Sequence, residues 1–194
     1  AQISLPAPKF ETFKTFLDKI SFLSSVRLNI AMEQNNESFL KLTIKIKNKI
    51  VADGLDDSTF DVTQKGIHVN AKRFNELLAE EGAICLDMRN HYESEIGQFK
   101  GALTPDVDTF RESLPIIDQT LAEHDKEKKL LMYCTGGIRC GKASAYFKHK
   151  GFKNVFQLEG GIIEYARQVE AEGIENQFIG KNFVFDERRR ERIS

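Results

Sequence analysis

Cys134 and Cys140 bracket the segment Cys-Thr-Gly-Gly-Ile-Arg-Cys, and this is where the chain can do chemistry. A short apolar run, Leu130 to Tyr133, reads as a buried strand that delivers Cys134 to its carboxyl end. Ligand sites in α/β sheets lie beyond the carboxyl ends of strands. The loop Thr135, Gly136, Gly137, Ile138 and Arg139 follows and runs into a helix. Two glycines let such a loop curl until successive backbone N–H groups point inward. The helix start adds partial positive charge on the same side, and Arg139 adds a full one. A thiol in that cradle has a depressed pKa, so Cys134 is expected to be a water-accessible thiolate nucleophile held by the amides of residues 135–139 and by Arg139.

The spacing narrows the chemistry. Cysteine phosphatases place Arg six positions after the nucleophile, but here position 140 is Cys and Arg139 comes at five. The shorter loop suits a terminal sulfur or a small anion better than a tetrahedral phosphate, which sets a phosphatase aside. Cys140 is either a helix-start packing residue or a supporting thiol beside Cys134, because sequence spacing does not fix a sulfur–sulfur distance. Cys85 lies in an apolar strand and reads as core. No metal site is expected: there is no C-x-x-C, and His68, His91, His124 and His149 are scattered.

The elements needed to position that loop alternate along the second part of the chain. Asn70 can cap a helix carrying Phe74, Leu77 and Leu78. Residues 83–88 form a buried strand, a helix with Phe110 and Leu114 follows, and Pro115 complicates its end. After the cysteine loop, Lys142 to Lys150 is a helix ended by Gly151. Val155 to Leu158 is a strand, and the pair Gly160-Gly161 makes a tight turn into a helix through Arg167. This alternation predicts an α/β fold with a parallel sheet flanked by helices over residues 63–175.

Residues 1–62 read differently. Phe10, Phe13, Phe16, Leu17, Ile20 and Leu23 recur at helical steps. Ser25 to Ile30 is strand-like, and from Leu40 to Val51 the residues Leu42, Ile44 and Ile46 alternate with polar neighbours, as in a half-buried strand. Helix plus antiparallel strands suggests a small, partial α+β unit before an acidic boundary loop carrying Asp53, Asp56, Asp57 and Asp61. Residues 176–194 form a polar, Arg-rich tail.

The chain has 194 residues, with 28 Lys+Arg against 29 Asp+Glu, so a molecule coated in positive charge is excluded and any RNA contact must be local. No apolar run can cross a bilayer, and no signal-peptide pattern opens the chain. It starts on Ala1 rather than Met, which suggests a processed or trimmed start. Three cysteines, an odd and sparse set, point to a reducing compartment, the cytoplasm. Lys41, Lys45, Lys47 and Lys49 lie in a stretch without acids and would share one strand face. They serve either as edge guards or as an RNA phosphate stripe. Arg188, Arg189, Arg190 and Arg192 are offset by Asp186, Glu187 and Glu191, and Phe183 and Phe185 either stack on bases or dock the tail.

The segment CTGGIR at 134–139 resembles the active-site loop of rhodanese domains, whose Cys carries a persulfide. LDMRNHYESEIGQFKGAL at 86–103 resembles the early rhodanese signature, through Asp87, Arg89, Glu93, Gly97, Gly101 and Ala102, and LEGGIIEY at 158–165 resembles the late one. Asp87 and Arg89 read as a structural ion pair. With the second Cys, the preceding α+β unit and the tail GKNFVFDERRRERIS, the chain looks like the bacterial TrhO-type tRNA uridine hydroxylases. That resemblance implies a ferredoxin-like or acylphosphatase-like unit before the rhodanese domain. It also implies oxygen-dependent formation of 5-hydroxyuridine at the tRNA wobble position through Cys134 or its persulfide, with tRNA as partner, molecular oxygen as co-substrate and no bound cofactor. Three features depart from the family: Gly141 stands where a Glu is usual, the N-terminal unit lacks an EGINGT-like segment, and a Cys-rich C-terminal extension is missing. Two other readings are a rhodanese-type sulfurtransferase and a non-catalytic rhodanese binding module.

Overall fold

The computed structural model describes residues 3–28, 30, 44–46, 51, 53–55, 57–185 and 190–192. Its centre is a parallel sheet of β1 (Ile67–Val69), β2 (Ile84–Asp87), β4 (Lys129–Tyr133) and β5 (Asn154–Leu158), in the order β1-β5-β4-β2. Ile84 to Leu86 of β2 and Leu130 to Tyr133 of β4 are successive apolar residues because the sheet is covered on both faces. Ile84, Leu86, Leu130 and Met132 point into one core, with Phe110, Leu114 and Ile117 of α4 (Phe110–Thr120) and Ala143 and Phe147 of α5 (Ile138–His149). Cys85, Leu131 and Tyr133 point into the other, with Phe74 and Leu77 of α2 (Ala71–Leu78) and Ile162, Tyr165 and Ala166 of α6 (Gly161–Glu172). The expected α/β layering is therefore present, and Cys85 is core as expected.

Local signals account for several boundaries. The Asn70 side chain accepts from the Arg73 N–H at 2.9 Å and caps α2. Helix α4 runs through Pro115 to Thr120 rather than ending there. A capping box at Thr109 and Glu112 and the buried row Phe110, Leu114, Ile117 outweigh one lost backbone hydrogen bond. Helix α5 begins at Ile138, four residues before the expected start, because Gly137 with φ +87° serves as its N-cap.

A second, antiparallel sheet was not legible in the sequence. It joins β3 (Gly97–Phe99), β6 (Phe178–Phe183) and β7 (Arg190–Arg192) in the order β3-β6-β7. The polar tail is thus partly strand, paired to β3 across Gly97 and Gly180. A Cβ on Gly97 would lie 2.6 Å from the Lys181 backbone, so side chains are excluded where the two strands cross. Asp87 and Arg89 form the expected ion pair at 2.6 Å, wholly buried, and Arg89 also donates to the Gly97 carbonyl at 2.6 Å. That contact ties the end of β2 to the small sheet.

Before β1 the described elements are α1 (Phe10–Asp18) and two short 3-10 turns. The strands expected at 25–30 and 40–51 are not found where those segments are described. Residues 25–28, 30 and 44–46 belong to no strand, and Ile44 and Ile46 are 82% and 99% exposed. Alternation makes a strand only when a neighbouring ladder and an apolar face receive it, and no described strand precedes Ile67. The ferredoxin-like arrangement is accordingly not seen among the described residues. The acidic segment does have a structural role. Val51, Leu55 and Phe60 pack on the α5 side of the core, Asp53 pairs with Lys142 at 2.5 Å, and Lys142 also donates to the Val51 carbonyl at 3.0 Å.

Candidate active site

Cys134 leaves the end of β4 and sits at the floor of the loop that opens α5. The Gly137 N–H donates to its sulfur at 3.2 Å. Arg139 and Cys140 lie against the same sulfur, and their backbone N–H groups and the Cys140 thiol favour its charged form. Of the amides expected at 135–139, that of Gly137 makes the hydrogen bond to the sulfur. The Cys140 hydrogen bond is the strongest influence holding the Cys134 thiol down, to about 6; burial opposes it, and the Arg139 charge and the two amides assist. Burial and the adjoining Cys134 sulfur push Cys140 well up, so Cys140 remains the proton donor of the pair. Cys140 is wholly buried against the Cys134 sulfur, a position that fits both readings the sequence leaves open, packing and support.

One expectation is corrected here. Cys134 is only 1% exposed, not open to water. The dipoles face it as anticipated, but the loop closes over the sulfur that they surround. What remains at the rim is Ile138, 63% exposed, and a half-buried Gly136.

Arg139 does not stand free beside the sulfur. Its Nη1 and Nη2 donate to Glu93 Oε2 and Oε1 at 2.6 and 2.8 Å, a bidentate pair. Burial alone would lower its pKa, but the hydrogen bonds to Glu93 and the charges of Cys134 and Glu93 outweigh it and raise it. Glu93 is fully buried in α3 (His91–Ser94), and its Oε2 also accepts from the Asn90 N–H at 3.1 Å. Thr135, 7% exposed, donates its hydroxyl to Glu93 Oε1 at 3.3 Å. Glu93 thus clamps both ends of the loop. It was visible only as part of a resemblance, although Asn90 followed by Glu93 is a readable helix-start pattern.

The pair Gly160-Gly161 braces the loop from the other side. The Ile162 N–H donates to the Cys134 carbonyl at 3.0 Å and the Ile163 N–H to the Thr135 carbonyl at 3.3 Å. These bonds turn the loop carbonyls away from the sulfur, which leaves the N–H edges facing it. Arg27 lies over the same turn, paired with Glu159 at 3.1 Å and Glu164 at 3.2 Å. Gly141 has Lys65 beside it, with the ammonium 3.8 Å from where a Cβ would stand.

Of the residues expected to contact RNA, two are described, and the backbone of Arg190 pairs with Phe183 of β6. Lys45 is exposed and Arg190 opens β7, whereas Lys41, Lys47, Arg188 and Arg189 lie outside the described residues. Phe183 docks the tail, edge-on to Tyr92 at 5.3 Å. Among the described residues no three His, Cys, Asp or Glu side chains gather where a metal ion would be held.

The hydrogen bond from Cys140 gives a direct test. Replacement of Cys140 by Ala should raise the Cys134 pKa by about one unit or more, whereas Cys140→Ser, which keeps a donor, should raise it less. Thiolate absorbance near 240 nm against pH reads this without requiring access to the sulfur. The depressed pKa also stabilises the fold. Between the folded value near 6 and the unfolded value near 9, only the unfolded chain binds the proton. Stability should therefore rise with pH across that window and fall as pH drops through 6, and this pH dependence should flatten in Cys134→Ala. An identical slope in the two proteins would rule out the thiolate assignment.

A parallel sheet covered on both faces, with a cysteine cradle at the carboxyl end of its central strand, defines a rhodanese-like domain. The rhodanese-like domain family matches residues 70–168, and the chain belongs to that family. Along its whole length it is also similar to two proteins named tRNA uridine(34) hydroxylase. The one from Salmonella typhimurium strain LT2 is 54% identical, with 100% of this chain and 55% of the relative covered. The one from Yersinia enterocolitica serotype O:8 is 52% identical with the same coverage, 100% and 55%. The chain thus spans about half the length of the curated relatives it matches. A solved rhodanese-like domain from Anabaena sp. is 19% identical, covering 58% of this chain and 78% of that one, with a TM-score of 0.45.

Proposed function

We propose that this chain carries the sulfur site of an oxygen-dependent tRNA uridine hydroxylase, which converts the wobble uridine to 5-hydroxyuridine through Cys134. The observation that carries the reading is the Cys134 sulfur at the carboxyl end of β4, accepting from the Gly137 N–H at 3.2 Å and pushed toward the thiolate by Cys140 and Arg139 beside it. It stands in a chain whose likeness to proteins named tRNA uridine(34) hydroxylase extends beyond residues 70–168 to its full length. A tRNA substrate carries a cytoplasmic location with it. No helix among the described residues is long and apolar enough to cross a membrane.

Burial favours the persulfide as the working form. An S–S bond of about 2.05 Å moves the terminal sulfur outward from the floor of the loop toward its rim. Cys134 is 1% exposed, so that extension matters for reaching a base. Addition of this sulfur to C6 of the pyrimidine ring would break the C5=C6 π bond and leave C5 electron-rich toward oxygen; once C5 is oxygenated, loss of its proton with expulsion of the sulfur from C6 would re-form the double bond and release the sulfur unchanged. In the overall balance C5–H becomes C5–OH. One atom of O2 enters the base, and the other leaves as water with two electrons and two protons from a thiol or persulfide donor. Arg139, neutralised by Glu93, shapes the loop and lends positive potential to the sulfur rather than binding an anion alone.

The same cradle suits a rhodanese sulfurtransferase, and one experiment separates the two. Deletion of the gene and complementation with the full-length Cys134→Ala protein should leave tRNA without 5-hydroxyuridine-derived nucleosides, a loss of about 100-fold or more by mass spectrometry. Normal nucleosides together with cyanide-accepted sulfur transfer by the wild type would assign the sulfurtransferase instead. Full rescue by Cys134→Ser would assign a binding module.

A further inference from the structure

Two large apolar side chains stand exposed near Arg139 at the cysteine loop. Ile138, the first residue of α5, is 63% exposed, and Phe185, just past β6, is 47% exposed. The Phe185 ring lies 5.9 Å from the Arg139 guanidinium carbon and 5.0 Å from the Phe183 ring, which is itself seated on Tyr92 at 5.3 Å. Phe183 accounts for docking the tail. Phe185 is held in place by that row, yet nearly half of its surface is left open beside the loop that covers the reactive sulfur. An aromatic face in a fixed position, next to a guanidinium and a nucleophile that acts on a base, is what unpaired nucleobases stack on.

We propose that Phe185 is the stacking platform for the RNA base presented to the Cys134 loop. The occupant is a single unpaired pyrimidine or its immediate neighbour in an anticodon loop, since a base in a duplex exposes no free face. The assignment rests on the proposed function and adds to it the place where the nucleobase sits. It also gives a role to the segment after β6: strand pairing between β6 and β3 sets the position from which Phe185 reaches the loop.

The test uses the full-length protein and a synthetic anticodon stem–loop RNA with uridine at the wobble position. Phe185→Ala and Phe185→Leu should each weaken binding roughly tenfold or more, and Phe185→Trp and Phe185→Tyr should restore it, because only the latter pair supplies a ring face. The thiolate absorbance of Cys134 should be the same in all four variants. Unchanged RNA affinity in Phe185→Ala, or loss in Ala and Leu without recovery in Trp or Tyr, overturns the stacking role. A lowered melting temperature with unchanged RNA affinity also overturns it and assigns the ring to packing. Failure of the wild type to bind the stem–loop at all sinks the proposed function itself, whereas tight wild-type binding with an indifferent Ala variant sinks only the role of Phe185.

Discussion

Gly161→Ala should cost about 2–5 kcal/mol and lower the melting temperature by roughly 5–15 °C. The added Cβ would stand 2.3 Å from the Cys134 carbonyl and 2.6 Å from the Thr135 carbonyl, both backbone atoms that cannot swing aside. The backbone at Gly161 has φ +67°, which already strains an L side chain. Gly173→Ala is the matched control: its φ is +63°, but nothing lies within 4 Å of its Cβ, so it should lose only about 1 kcal/mol. The excess in Gly161→Ala measures the contact with the cysteine loop. The same displacement should turn the amides away from the sulfur, so its thiolate absorbance should move to higher pH. Equal stability losses in the two glycine variants, by thermal or urea denaturation, would show that the loop gives way freely and does not depend on this brace.

Glu93→Ala should be comparably damaging, at about 3–5 kcal/mol, because it leaves the Arg139 guanidinium largely buried without its counter-charge. The carboxylate also accepts from Thr135 and from the Asn90 N–H, so its loss unties the loop and the start of α3 together. Glu93→Gln keeps the shape but not the charge and should lose less. The double variant Glu93→Ala with Arg139→Ala should be clearly less unstable than the sum of the single variants, since the second change removes the orphaned charge. Simple additivity in that cycle would mean that the bidentate contact carries no coupling. Under the proposed function, hydroxyuridine formation is expected to fall with either single variant even where folding survives at low temperature. The loop would no longer be held at both ends.

The parts of the site confined to one stretch of chain were legible from residue types. Cys134 after an apolar strand, two glycines and a helix start suffice to foresee an amide-lined loop around the sulfur, and the Gly137 N–H does donate to it. Asn70 as a cap and the Asp87–Arg89 pair were legible for the same reason, each being a contact between near neighbours. The strands expected before residue 60 were misread where described, because alternation reports a preference that a ladder and a core must complete. The small sheet of β3, β6 and β7 was missed since short strands with glycines at the crossing carry little periodicity.

Covalent order within a few residues was enough to single out Cys134 as the candidate nucleophile and to fix which way the helix dipole points. Tertiary structure alone decided that Glu93 neutralises Arg139, that the Gly160-Gly161 turn holds the loop carbonyls outward and that Cys134 lies beneath the surface. Those outcomes depend on distances between segments far apart in the chain. They are set by how the two cores close on the sheet, and no local pattern of residues encodes that.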